Sequence, residues 1–233
     1  MSQLLLIRHG QASFGTDNYD LLSPTGERQA RLVGHHMAAA GLIPDILLAG
    51  SLARQQKTAT LAANAWTQPP ALRTDPAFNE YDADALFAAY LPRVLDEDTA
   101  LAAQRDGISA DRRLFQKAFE QVMGHWLAGT SHEHPRCESW VDFRARVGAA
   151  LARLRDELPR DCRIGVFSSG GPIAVAISAA MAASDDKTIE LNWSIYNASI
   201  SDLRSTRSGW RLLGFNDISA LHGAGDPALV TFR

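Results

Sequence analysis

An arginine and a histidine stand side by side at Arg8-His9, and a glycine follows at Gly10. An imidazole can attack phosphorus through one ring nitrogen when an acceptor fixes the other. A guanidinium offers a planar fork that matches phosphate oxygens. Gly10 lets the backbone turn and come close to a ligand. A second cation, Arg54, lies within Ser51-Leu52-Ala53-Arg54-Gln55-Gln56-Lys57-Thr58. Ser51 is placed to cap a helix there, with Arg54 in its first turn. A cation at that end opposes the helix dipole, so the placement makes more sense if an anion sits between them. A carboxyl group comes next, in Phe78-Asn79-Glu80-Tyr81-Asp82. Hydrolysis of a phosphate monoester needs a proton for the leaving alkoxide, and a carboxylic acid in a partly buried setting supplies one. Composition does not choose between Glu80 and Asp82.

These groups need a frame. Leu4 to Ile7 is a continuous apolar run, read as a buried strand central in a parallel sheet. It delivers Arg8 and His9 to a carboxyl end, where open α/β sheets bind their ligands. Ser23-Pro24-Thr25-Gly26-Glu27 reads as a helix start, and the helix runs to about Ala40, with Gly41 as its stop. A second strand is expected over Asp45 to Ala49 and a helix over about Ala53 to Asn64. Residues from about Ala83 to Pro135 lack strand-like runs and read as a helical insertion, with a loop at its end from Gly129. A long helix is expected from Trp140 to Leu158, a strand from Ile164 to Phe167, and an Ala-rich helix from Gly170 to about Ala183. Two more strands, Ala198 to Leu203 and Trp210 to Phe215, flank a turn. The order predicts an α/β fold: a three-layer α/β/α sandwich with a mostly parallel central sheet. Residues 1–233 read as a single domain carrying the insertion at about 83–135.

Composition limits the partners. The formal net charge is −3 with histidine neutral, which gives no general attraction to nucleic acid or to an anionic membrane. No apolar stretch approaches spanning length. Cys137 and Cys162 are too few and too far apart for a disulfide framework or a zinc site. A reducing, cytoplasmic setting is the simplest expectation, and no metal-ligand spacing is visible. A small phosphorylated molecule is the expected partner, and a homodimer stays open.

Leu-Leu-Leu-Ile-Arg-His-Gly-Gln, residues 4–11, resembles the signature of the histidine phosphatase superfamily, the phosphoglycerate-mutase-like enzymes. The resemblance implies that His9 accepts the phosphoryl group as phosphohistidine and that Arg8 binds phosphate, with Gln11 and Ser13 in the next turn as further contacts. Ser51 to Thr58 resembles the second signature, Ser-x-x-Arg-x-x-x-Thr, which makes Arg54 a phosphate ligand and Thr58 structural. The acidic segment resembles the one that carries the general acid, which points to Glu80, with Asp82 and Asp84 as runners-up. The resemblance implies no cofactor and no metal.

One position departs. The superfamily places a second histidine in a pattern close to Ser-His-Gly-Gly, and here the segment is Ser168-Ser169-Gly170-Gly171. Ser169 removes an imidazole but keeps one hydrogen-bond donor. The helix opening at Gly170 adds free amides suited to anions. Loss of one preorganised donor typically costs on the order of 10² to 10³ in rate, so reduced turnover is expected. His222, His125, His132 and His134 are further imidazoles that the sequence does not position. The leading expectation is a phosphatase. A phosphoglycerate or sugar-phosphate mutase is the first alternative, disfavoured because Ala12 to Pro24 is short and has no Lys or Arg. A non-catalytic binder of phospho-ligands is the second.

Overall fold

A computed structural model describes residues 1–13, 20–130, 137–157 and 159–232 of the chain. It divides into two compact units, one formed by Met1–Glu80 with Arg146–Arg233 and the other by Tyr81–Ala145. His132, His134 and most of the loop expected before residue 136 lie outside the described residues.

The first unit carries a six-stranded sheet. Its strands are β1 (Gln3–Arg8), β2 (Ile46–Ala49), β3 (Leu72–Thr74), β4 (Arg163–Ser168), β5 (Ile200–Thr206) and β6 (Gly209–Asp217). Their order across the sheet is β3-β2-β4-β1-β5-β6. β3, β2, β4 and β1 pair in parallel, while β5 runs antiparallel to β1 and β6 antiparallel to β5. Helices α1 (Pro24–Ala39) and α2 (Ala53–Ala63) follow the first two strands, and α3 (Ala83–Glu97), α4 (Thr99–Ala102) and α5 (Arg112–Leu127) belong to the second unit. α6 (Trp140–Asp156), α7 (Gly170–Met181), α8 (Asp185–Ser194) and α9 (Ser219–His222) complete the chain. The α/β fold with a mostly parallel sheet flanked by helices is thus the one expected.

Leu4 to Ile7 are at most 1% exposed, because β1 is flanked by β4 on one side and β5 on the other. That is why the run is apolar at every position rather than at alternate ones. Leu5, Ile7, Leu47, Ala49 and Phe167 of the sheet share one core with Val33 and Met37 of α1 and Ala59 and Ala62 of α2. Ser23 caps α1 by accepting from the Gly26 amide at 3.0 Å, with Pro24 in the first helical position. Gly41, at φ +66°, follows its end.

The sequence did not announce three elements, of which α9 is a single four-residue helix after β6. β3 is three residues long and mostly exposed, too short for a pattern. α8 opens on Asp185-Asp186-Lys187 and buries only Thr188, Ile189 and Asn192, so it lacks an apolar stripe. In the second unit every regular element among the described residues is helical. Trp126, Trp140, Phe143 and Tyr81 pack there as one aromatic group, and the Trp126 indole donates to the Glu138 carbonyl at 2.7 Å.

Gly10 has a packing role that the sequence reading did not assign. A Cβ there would lie 2.3 Å from the Gly26 carbonyl oxygen on α1. The loop after β1 therefore rests on the first turn of α1, backbone against backbone. Gly10→Ala is expected to cost roughly 1–3 kcal/mol, since neither backbone can yield cheaply. Thermal unfolding should show a midpoint lower by about 5 °C, and an unchanged midpoint would mean that the two segments separate easily.

Candidate active site

Four neighbouring strands run in one direction, so their carboxyl ends reach the same edge of the sheet. After β1 come His9 and Gly10, after β2 come Gly50 and the start of α2, after β3 comes the segment leading to Glu80, and after β4 comes Ser169. Hydrogen bonds continue the ladder past the strands. His9 N–H donates to Ser168 O at 2.8 Å, Gly50 N–H to Phe167 O at 3.1 Å, and Asp75 N–H to Ala49 O at 2.9 Å. The sheet itself thereby gathers the residues singled out in the sequence.

His9 is 3% exposed. Its Nδ1 lies 2.7 Å from the Gly10 carbonyl oxygen, an atom that can only accept, so Nδ1 carries the proton. Its Nε2 accepts from Nε–H of Arg54 at 3.3 Å. Both contacts assign the same tautomer, with the lone pair on Nε2. Burial, then the charges of Arg54 and Arg8, hold the His9 pKa well below the ordinary value of 6.5, and the Gly10 contact only partly opposes them. The neutral imidazole is the form that can attack phosphorus.

Stability should follow. The unfolded histidine titrates near 6.5 and the folded one lower, so on acidification the unfolded chain takes up the proton first. Stability attributable to His9 is therefore complete above about pH 6.5 and falls as pH drops towards the folded value. Urea unfolding at pH 7.5 and pH 5.5 should show a smaller acid loss in His9→Gln than in the parent. Equal losses would mean that His9 protonates in place.

The loop around His9 is held from several sides. The Gly10 amide donates to Thr58 Oγ1 at 3.1 Å, and that hydroxyl donates to the Arg54 carbonyl at 2.6 Å. Thr58 is accordingly a structural tie between α2 and the His9 loop. Asn197, 1% exposed, donates from Nδ2 to the His9 carbonyl at 3.2 Å.

Arg54, 8% exposed, meets an anion supplied by the chain itself. Asp20 Oδ1 accepts from Arg54 Nη1 at 2.7 Å, and Asp20 Oδ2 accepts from the Ala53 amide at 2.7 Å. The carboxylate thus faces both the guanidinium and the first amide of α2, where the dipole favours negative charge. The expectation that Ser51 caps α2 is corrected. Leu52 holds the cap position, and Ser51 is paired with Asn79, which accepts from the Ser51 amide at 2.6 Å and donates to its hydroxyl at 2.7 Å.

Arg8 turns Nη1 to the carbonyls of Ile195 and Phe232, the latter at 3.0 Å, so it ties the end of β1 to the C-terminal segment while its charge acts on His9. Glu80 Oε2 accepts from the Gly171 amide at 3.1 Å, in the first turn of α7. Arg146 Nη1 fixes the segment before it by donating to the Ala77 and Asn79 carbonyls at 2.9 and 3.2 Å. Gly170 begins α7, and a Cβ there would lie 2.3 Å from Asn192 Oδ1, so a side chain at this position would displace the Asn192 amide. Gln11 accepts from Ser23 Oγ at 2.9 Å, and Ser13 N–H donates to Leu21 O at 2.8 Å, so these two bonds tie the loop after β1 to the stretch that leads into α1.

Ser169 is fully buried and accepts from Gln55 Nε2 at 2.8 Å. Gln55, also fully buried, was not singled out in the sequence, nor were Asp20 and Asn79. An arginine in the first turn of a helix was the one signal that called for Asp20. Nothing marked Gln55 apart from its place beside Arg54. Asp82 and Asp84 lie at the start of α3, where Asp82 caps the helix by accepting from the Ala85 amide at 2.9 Å. His125 pairs with Glu97 at 3.1 Å within the second unit, and His222 ends α9. Among the described residues no group of His, Cys, Asp or Glu could hold a metal ion, and no helix is long and apolar enough to cross a membrane.

The fold and site together are those of an α/β protein with a parallel sheet edge that presents a buried histidine beside Arg54. The model of the histidine phosphatase superfamily (branch 1) matches residues 4–88 and 108–218, and the chain belongs to that superfamily. Among solved structures it resembles a phosphoserine phosphatase mutant from Entamoeba histolytica in complex with phosphoserine, at 18% identity and a TM-score of 0.64, over 95% of this chain and 100% of that one. It also resembles the mycobacterial glucosyl-3-phosphoglycerate phosphatase in complex with inorganic phosphate, at 21% identity and a TM-score of 0.64, over 94% and 98% of the two chains. The alpha-ribazole phosphatase from Shigella flexneri matches at 19% identity and a TM-score of 0.61, over 92% and 96%. At these identities the likeness establishes the fold. Among curated protein sequences nothing matches.

Proposed function

We propose that this chain is a metal-independent phosphatase that cleaves small phosphate monoesters through a phosphohistidine at His9. The observation that carries the reading is the state of His9: buried, neutral, with Nδ1–H given to the Gly10 carbonyl and the Nε2 lone pair facing Arg54. In the first step the Arg54 Nε–H moves from Nε2 to a phosphoryl oxygen, Nε2 attacks phosphorus with the freed lone pair, and the ester P–O bond breaks. Glu80, as the carboxylic acid, gives its proton to the leaving alkoxide. In the second step water attacks the phosphohistidine, the Glu80 carboxylate takes a proton from it, and the N–P bond breaks to release phosphate. Arg54 and Arg8 offset charge on the phosphoryl oxygens. Ser169 and the Gly170 amide supply further donors, the Gly171 amide being given to Glu80. Gln11 and Ser13 carry less weight, because the bonds described for them serve the loop.

The named neighbours are phosphatases, which supports hydrolysis in general and selects no substrate. Ser169 in the place of the superfamily's second histidine is expected to lower turnover. The test uses a ³²P-labelled aryl phosphate quenched in alkali. The parent should trap an alkali-stable, acid-labile label that His9→Ala lacks. Equal turnover in both proteins, or phosphate binding with neither label nor turnover, would overturn the reading; the second result would leave a binder.

A further inference from the structure

We propose that Gln55 is a positioning residue that commits the Ser169 hydroxyl to donating a hydrogen bond to the phosphoryl group; this rests on the phosphatase reading. The amide orientation of Gln55 is determined by its neighbours. Its Nε2 lies 3.1 Å from the Phe78 carbonyl, which can only accept. Its Oε1 lies 3.4 Å from the Leu52 amide, which can only donate. With Nε2 so assigned, the second amide proton points at Ser169 Oγ, 2.8 Å away.

A hydroxyl that accepts from an amide nitrogen cannot donate back to it. Ser169 must therefore use its own proton elsewhere. Among the described residues no acceptor receives that proton, although the side chain is fully buried. A buried donor without an acceptor is costly, and it is a normal companion of a site that a ligand completes. Ser169 also sits level with His9, because Arg8 registers with Ser168 on the neighbouring strand and His9 N–H bonds Ser168 O at 2.8 Å. A phosphoryl oxygen on His9 is the acceptor this donor faces. Accepting one hydrogen bond polarises the hydroxyl and makes it a better donor.

Gln55 also reaches the proposed acid. Phe78 O receives both Gln55 Nε2 and the Ser168 hydroxyl, the latter at 2.7 Å, two residues before Glu80. Space for the amide is reserved at Gly50, where a Cβ would lie 2.0 Å from Gln55 Oε1.

The test is a mutant cycle read by vanadate inhibition and by kcat and KM on an aryl phosphate. Ser169→Ala should weaken vanadate inhibition and lower kcat by about 10²-fold with KM little changed, as for loss of one transition-state donor, and Ser169→Thr should retain most of both. Gln55→Met keeps the volume but frees the hydroxyl, and should lower kcat about tenfold, on the scale of one neutral hydrogen bond. Gln55→Glu reverses the polarity, because a carboxylate accepts from Ser169, and should approach the loss of Ser169→Ala. In the Ser169→Ala background the Gln55 changes should lose most of their effect, leaving only what passes through the Phe78 carbonyl. Full additivity would overturn the positioning role. Equal vanadate inhibition in parent, Ser169→Ala and Ser169→Thr would overturn the donor role, and that comparison stands even where Gln55 variants fail to fold. A parent without His9-dependent label would instead defeat the phosphatase reading, while vanadate binding would still report on Ser169.

Discussion

His9→Ala should lose turnover on aryl phosphates by at least about 10⁴-fold, since deleting a covalent nucleophile costs up to about 10⁶ in well-studied hydrolases. The expectation follows from how much of the local structure serves one nitrogen. The Gly10 carbonyl takes the Nδ1 proton, Thr58 holds Gly10, and Asn197 holds the His9 carbonyl. Burial and two guanidinium groups keep the ring neutral. An alanine leaves the arginines and the amides of α7, so phosphate should still inhibit the variant if it reaches turnover at all. Steady-state kinetics with inorganic phosphate as inhibitor separates these effects. A fall in kcat with retained inhibition fits a lost nucleophile. A kcat within tenfold of the parent would mean that water attacks the ester directly, with His9 a bystander.

The part of this arrangement that was legible in the sequence is the part that the sheet dictates. Leu4 to Ile7 is apolar throughout because β1 is buried on both faces, and the same physics marks β2 and β4. Once those strands are parallel, the residues that follow them must meet at one edge, and His9, Arg54 and Ser169 follow them, whereas Glu80 follows the illegible β3. Asp20 and Gln55 were not legible for a different reason. Their significance is a contact between distant segments, Asp20 with Arg54 and Gln55 with Ser169, and no local period records it. Arg54 did leave a trace: a cation at a helix start called for an anion, and the chain provides Asp20 there. β3 escaped because three mostly exposed residues carry no pattern, and α8 because its buried side is only three residues wide.

Arg54→Lys should reduce kcat/KM by about 10²-fold, more than a conserved charge would suggest. Arg54 makes contacts in two directions at once: Nε to His9 Nε2 at 3.3 Å and Nη1 to Asp20 Oδ1 at 2.7 Å. A lysine ammonium is one point on a flexible stem and cannot hold both. A point charge also lacks the fork that would follow the phosphoryl oxygens once Nε–H leaves Nε2, and misplacement by about 1 Å can cost 10²-fold. Asp20 supplies the complementary measurement. Its carboxylate shares the guanidinium and the α2 amides with any phosphoryl group bound there, and two like charges a few ångströms apart at a partly shielded site repel by on the order of 1–3 kcal/mol. Asp20→Asn should therefore strengthen inhibition by inorganic phosphate several-fold, while Arg54→Lys weakens it. Should both substitutions weaken inhibition alike, the carboxylate serves to aim Arg54 rather than to compete with the anion. Should neither alter it, phosphate binds away from Arg54, and the second superfamily signature has lost its ligand role in this chain.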